Sequence, residues 1–129
     1  MAIELKPDYA AAYDNLGNAL SAEGKIEEAI SHYKMAIGLK PDYADAHYNL
    51  GIALVAEGKI EEAISHYKMA IKLNPDYAEA YTNLGAVLFN AKMTEEAIDY
   101  FKEAIRIRPD DAAAQKNLEM ALLRSEELE

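Results

Sequence analysis

The side chains best able to do chemistry in this chain of 129 residues are three histidines, a recurring asparagine and paired glutamates. His32 and His66 each follow a glutamate, Glu28 and Glu62, by one helical turn, a pairing that acid–base chemistry could use. Both read better as solvated surface pairs on helices. His47 stands where Tyr13 and Tyr81 stand in sister segments, which marks it as a packing residue. None of the three lies in a metal-binding pattern such as His-Glu-x-x-His, so neither metal nor cofactor is expected. Without cysteine there is no thiol nucleophile, disulfide framework or Cys-ligated zinc. Glu27-Glu28, Glu61-Glu62 and Glu95-Glu96 recur where helices begin, and there negative charge complements the helix dipole. No Gly-rich phosphate loop occurs, and the chain reads as a non-enzyme.

The asparagine is more telling. It recurs as Asn15, Asn49, Asn83 and Asn117, although Asn costs ~0.5–0.7 kcal/mol relative to Ala inside a helix. A carboxamide both donates and accepts, so it can pair with a peptide bond whatever the peptide's sequence. On a helical wheel Asn15 sits with Ala11, Asn18 and Ala22, away from a stripe carried by Leu16.

The elements that position these residues come from a repeat. Pro7, Pro41, Pro75 and Pro109 are 34 residues apart, and Leu16, Leu50, Leu84 and Leu118 keep the same step. Gly17, Gly51 and Gly85 do so as well. Residues 10–43 and 44–77 differ at seven of 34 positions, and residues 78–111 have drifted further while keeping the framework. Residues 112–129 match the first half of a fourth copy. Residues 1–9 match the end of a preceding one, with Ile3 and Leu5 in the places of Ile37 and Leu39. Each copy reads as two helices. In the second copy, Ala44 to Ala56 places Ala46, Leu50, Ala53 and Leu54 on one face, and Ile60 to Leu73 does the same with Ala63, Ile64, Tyr67, Ala70 and Ile71. Gly58 can end the first helix in a left-handed conformation, and Lys92 in the third copy occupies that place at a cost of ~1 kcal/mol or in a different turn. Asp76 with Glu79 three residues on reads as a capping box. One such pair has too little core to fold alone, and stacking on neighbours buries both sides.

Composition narrows the class of partner. Thirteen Lys and Arg against 23 Asp and Glu, a net charge of −10, leave no basic face for nucleic acid. No apolar run approaches the ~20 residues of a membrane span, and the N-terminus lacks the basic and apolar regions of a signal peptide, so a cytoplasmic setting is expected.

The framework Tyr13, Leu16-Gly17, Leu20, Ala29, Tyr33, Ala36 and Pro41, repeated in all three copies, resembles the tetratricopeptide repeat (TPR) signature. The resemblance implies an all-α solenoid of antiparallel helix pairs: repeats at 10–43, 44–77 and 78–111, a capping half-repeat at 112–129, and the end of a truncated repeat at 1–9. It further implies a right-handed superhelix whose first helices line a concave groove that takes a peptide or helix of a protein partner. In this respect the asparagines are similar to the ladder of O-linked N-acetylglucosamine transferase repeats. With helices ~8–10 Å apart and a strand rising ~3.3 Å per residue, one Asn per repeat would meet roughly every third residue of a threaded peptide.

The differences between the two near-identical copies point to the same surface. Five of the seven fall in the first helix, and Ala11/Asp45, Asp14/Tyr48, Asn18/Ile52 and Ser21/Val55 lie away from the leucine stripe, while the second helices match from Ile26/Ile60 through Ile37/Ile71. The candidate groove residues are therefore Asn15, Asn18, Asn49, Asn83 and Asn117, the acidic Asp14, Asp45 and Glu79, and the apolar Tyr48, Ile52 and Phe89. A partner with basic residues and one or two apolar anchors suits them. At ~0.5–1.5 kcal/mol per amide contact, affinity of roughly micromolar order is expected. On this reading, removing the Asn49 and Asn83 amides weakens binding while stability barely falls. The carboxylate clamp of chaperone-adaptor repeats uses two lysines, an arginine and two asparagines. Here Asn18 and Asn49 match, but Asp14 and Glu79 replace the lysines and Asn83 the arginine, so an acidic tail would be repelled. The rival readings are head-to-tail self-assembly through the terminal helices, and a consensus-like or engineered structural array without a dedicated ligand.

Overall fold

The computed structural model describes residues 2–128, with side chains from Tyr9 to Glu127. Among the described residues there are seven helices and no strand: α1 (Ala2–Ala22), α2 (Ile26–Leu39), α3 (Ala44–Ala56), α4 (Ile60–Leu73), α5 (Ala78–Asn90), α6 (Thr94–Ile107) and α7 (Ala112–Leu128). The chain divides into two compact units, residues 1–73 and 74–129.

In the first unit, α1 pairs with α2 and α3 with α4, and α2 also packs on α3. Ala29, Tyr33 and Ala36 of α2, Ala46, Leu50 and Leu54 of α3, and Ala63, Tyr67 and Ala70 of α4 are buried. In the second unit, α5 pairs with α6 and α6 also packs on α7. Leu88, Ala97, Phe101, Ala104, Ala114 and Ala121 are buried there. Small residues let the paired helices close on one large ring. A Cβ placed on Gly51 would lie 2.7 Å from Tyr67 Cε1, and one on Gly85 would lie 2.5 Å from Phe101 Cε1.

Leu16 departs from the expected core stripe: it is 50% exposed, whereas Leu50 is fully buried. Within the first unit α3 is packed by both α2 and α4, whereas the described residues of α1 pack on α2 and make a light contact with α3. The boundary expected between residues 9 and 10 falls inside α1, which runs unbroken through Pro7. The side chains of Ile3 and Leu5 lie outside the described residues.

The turns within pairs follow one pattern. Lys25 N–H reaches Leu20 O at 2.9 Å, Lys59 N–H reaches Leu54 O at 2.8 Å and Met93 N–H reaches Leu88 O at 2.8 Å, the six-residue closure of a Schellman motif. Gly24 and Gly58 hold φ of 82° and 77°, and Lys92 adopts the same left-handed conformation at 67°. The turn does not differ, so lysine carries the strain. Lys92→Gly is expected to raise stability by about 1 kcal/mol, read as an increased urea midpoint at unchanged slope. Thr94, two residues on, has a buried hydroxyl with no partner where the sister repeats carry Ile26 and Ile60. Thr94→Ile is expected to add a further ~1 kcal/mol in the same measurement.

The capping boxes did not form. Tyr43 and Tyr77 occupy the N-cap positions of α3 and α5 and make no side-chain cap bond, because the helices start two residues after Asp42 and Asp76. Among the described residues α7 is capped by a carboxylate, with Ala114 N–H donating to Asp111 Oδ1 at 3.2 Å.

Candidate functional site

In the first unit the candidate face is built by α1 and α3. Asn15 and Asn18 are exposed on α1, and Asp45 and Ile52 are exposed on α3, Ile52 to 41%. Tyr48 is half-buried, its ring 6.1 Å from that of Tyr67. Tyr33 Oη donates to Asn18 Oδ1 at 2.6 Å, which leaves the amide nitrogen's two donors for other partners.

Asp14 does not belong to an open acidic surface. It is 4% exposed, and it accepts from Asn49 Nδ2 at 3.0 Å and from Tyr43 Oη at 3.5 Å. Burial pushes its carboxyl above the ordinary 3.8, and the Asp45 charge adds to this against the hydrogen bonds from Asn49 and Tyr43. Burial, with the Asp14 charge, also raises the Tyr33 hydroxyl to about 12. Asn49 is thus engaged within the fold by one of its donors. The helical wheel missed this bond because the two residues belong to different repeats.

In the second unit the face is built by α5 and α7. Asn83, Phe89 and Asn117 are half-buried. Glu79 is exposed, but Arg108 Nη2 lies 3.2 Å from its Oε2, which neutralises much of its charge. The Arg124 guanidinium sits 4.1 Å above the Phe89 ring centroid, a cation–π contact. Neither Arg108 nor Arg124 was singled out in the sequence, since each meets its partner only across the fold. Of the three acidic residues expected to line a groove, Asp45 alone stands exposed without a described ion pair.

The histidines have structural partners. His32 Nδ1 lies 2.9 Å from the Glu28 carbonyl, to which it donates. His66, its copy, does not pair with Glu62, which lies 3.6 Å from Lys34 Nζ instead. His66 Nδ1 meets His47 Nδ1 at 3.0 Å, and His47 Nε2 donates to Pro41 O at 3.0 Å. A carbonyl only accepts, so His47 Nε2–H donates to it and His47 Nδ1 accepts a hydrogen bond from His66 Nδ1–H. Tyr81 Oη to Pro75 O at 3.0 Å and Gln115 Nε2 to Pro109 O at 2.6 Å repeat this contact, so the 34-residue register assigns a donor to the carbonyls of Pro41, Pro75 and Pro109.

Burial and then the nearby His47 lower the pKa of His66 from 6.5, with Glu62 opposing and Lys34 adding. A base with a lowered folded pKa binds fewer protons folded than unfolded, so stability falls as pH drops from 6.5 toward the lowered value. His66→Gln is expected to flatten that part of a plot of urea midpoint against pH. Among the described residues no group of three or more His, Cys, Asp or Glu is placed to hold a metal ion. No described helix is long and apolar enough to cross a membrane.

The repeat signature is matched over most of the chain. The profile for TPR repeats covers residues 17–56 and 53–91, and that for the tetratricopeptide repeat covers residues 78–111. The chain belongs to the tetratricopeptide repeat family. Its fold is the all-α helix-pair fold of TPR proteins, three repeats followed by a C-terminal helix. It is similar to the first TPR of Spaghetti (RPAP3) bound to the HSP90 peptide SRMEEVD, with TM-score 0.89 and 25% identity over 92% of this chain and 94% of that one. It is likewise similar to MamA, with TM-score 0.88 and 27% identity over 96% of this chain and 72% of that one. The Sgt2 TPR domain from Aspergillus fumigatus shares the fold, with TM-score 0.86 and 24% identity over 92% and 80% of the two chains. Comparison with curated protein sequences gives no match.

Proposed function

We propose that this TPR chain is a non-catalytic protein–protein interaction module whose first helices bind an extended peptide of a protein partner. The observation that carries the reading is that Asn15 and Asn18 of α1 and Asp45 and Ile52 of α3, the first helices of two successive repeats, are exposed. Amides pair with a peptide backbone, Ile52 supplies an apolar anchor, and Asp45 favours a basic residue. In the second unit Asn83, Asn117 and Phe89 take the corresponding roles, as in the asparagine-ladder repeats that the sequence resembles. The peptide held by the Spaghetti repeats supports peptide binding as the mode. It does not extend to that peptide's acidic chemistry, because Asp14 and Glu79 stand here in the places of the clamp lysines.

The test is capture of a partner from a native lysate by the full chain and by an Asn15→Ala/Ile52→Asp variant. Both positions are exposed, so the variant keeps its helical content and urea midpoint. Proteins retained by the wild type and lost by the variant are the expected result. Equal capture by both removes this face from the reading. Self-assembly has one observation in its favour, the exposed Leu122 and Leu123 of α7. A mass by light scattering that stays monomeric across a concentration series excludes it.

A further inference from the structure

The α5–α7 face of the second unit holds a cavity of about 200 Å³, lined by Ala86, Phe89 and Asn90 of α5, Phe101 of α6, and Asn117 and Met120 of α7. Two polar groups present at the equivalent positions of the first unit are missing from its lining. In the first unit the equivalent positions are Asn18 and Tyr33, whose hydroxyl and carboxamide bond to each other at 2.6 Å. Two repeats on, Ala86 and Phe101 lack both groups, so the space opens over an apolar floor. The volume falls below the ~300–1,000 Å³ of small-molecule sites and corresponds to one large side chain. At the rim are two carboxamides, Asn90 exposed and Asn117 half-buried. Arg124, over the Phe89 ring, makes no ion pair with a carboxylate among the described residues.

We infer that this cavity is an anchor site for one large apolar side chain, Leu, Met or Phe, of an extended peptide that carries a carboxylate within a residue or two of it. The inference rests on the reading of the α5–α7 face as peptide-binding and specifies its ligand. The apolar side chain removes the floor of Ala86, Phe89, Phe101 and Met120 from water. Asn90 and Asn117 meet the flanking peptide groups. The planar guanidinium of Arg124, held over the Phe89 ring, can offer a carboxylate two parallel donors. The charge preference at this end is therefore acidic, opposite to that expected beside Asp45.

The probe is N-acetyl-leucine, which combines an isobutyl side chain, an acetamide and a carboxylate, titrated into the labelled full chain and followed by NMR. Saturable shifts are expected at Ala86 and at the side-chain amides of Asn90 and Asn117, with N-acetyl-leucinamide binding about threefold more weakly for want of the charge. Ala86→Ile, which installs the residue found at Ile52, fills the cavity and is expected to abolish the shifts, with far-UV circular dichroism confirming the fold. Arg124→Gln is expected to bring N-acetyl-leucine down to the level of its amide. No shifts at tens of millimolar, shifts centred elsewhere, or shifts that survive Ala86→Ile overturn the anchor site. Equal binding of acid and amide to the wild type overturns the role of Arg124. Because the probe reads the second unit directly, its result is independent of the capture experiment on Asn15 and Ile52, and the two readings can fail separately.

Discussion

Phe101→Ala is expected to destabilise the protein by about 3–5 kcal/mol, the largest effect of any single change considered. The ring is 1% exposed, and Gly85 has no side chain to refill the space it would leave, since the backbone at Gly85 already lies against the ring. A loss of that size is a large fraction of the 5–15 kcal/mol typical of whole domains. Urea unfolding monitored by circular dichroism reads it. Phe101→Tyr restores the residue of the sister repeats and keeps the packed ring, so most of the stability should be retained. Adding Ala86→Asn to Phe101→Tyr would recreate the hydrogen bond of Asn18 and Tyr33, and the double-mutant cycle should show favourable coupling of about 1 kcal/mol. A Phe101→Ala loss below 1 kcal/mol would show that the Gly85 contact is not a close-packed one.

Asn49→Ala should cost about 1–3 kcal/mol, in contrast with the small loss that the sequence led one to expect. The carboxylate it supports is buried, and Asp14 would be left with the longer contact from Tyr43. Loss of the donor also pushes the Asp14 carboxyl further up, since the Asn49 bond is the largest effect holding it down. A group with a raised folded pKa binds more protons folded than unfolded. Its penalty therefore grows as pH rises from 3.8 to the raised value and persists above it. The difference in urea midpoint between wild type and Asn49→Ala should accordingly be wider at neutral pH than in acid. Asn15→Ala, on an exposed surface, should change stability by less than about 0.5 kcal/mol. If the two variants behave alike, the Asn49 amide is not holding Asp14 in solution. The contrast also explains why a binding test is better placed on Asn15 than on Asn49.

Much of the fold could be read before any coordinates. The 34-residue period gave the number of helix pairs, and the expected limits of α3 and α4, Ala44–Ala56 and Ile60–Leu73, match those observed. This works because each repeat is one local unit, and its helices are marked by a residue pattern and by Gly or Pro at their ends. The contacts of Gly51 with Tyr67 and of Gly85 with Phe101 recur for the same reason, since a small and a large residue at a fixed distance in the repeat meet in each copy.

The candidate site was legible only in part. Asn15, Asn18, Asp45 and Ile52 lie on the surface as their wheel positions imply. Asp14, Glu79 and His66 do not behave as expected, because each answers to a residue outside its own helix: Asn49 and Tyr43 for Asp14, Arg108 for Glu79, His47 for His66. Leu16 lacks the second packing partner that Leu50 has.

The amino-acid order alone determined the helices, their pairing and the period at which an amide recurs, since all three follow from contacts within some 34 residues of chain. Which amides and carboxylates remain exposed, and where a cavity opens, was decided by the tertiary structure. Those properties depend on side chains from different elements meeting across the fold, and on hydrogen bonds and burial that no periodic pattern records.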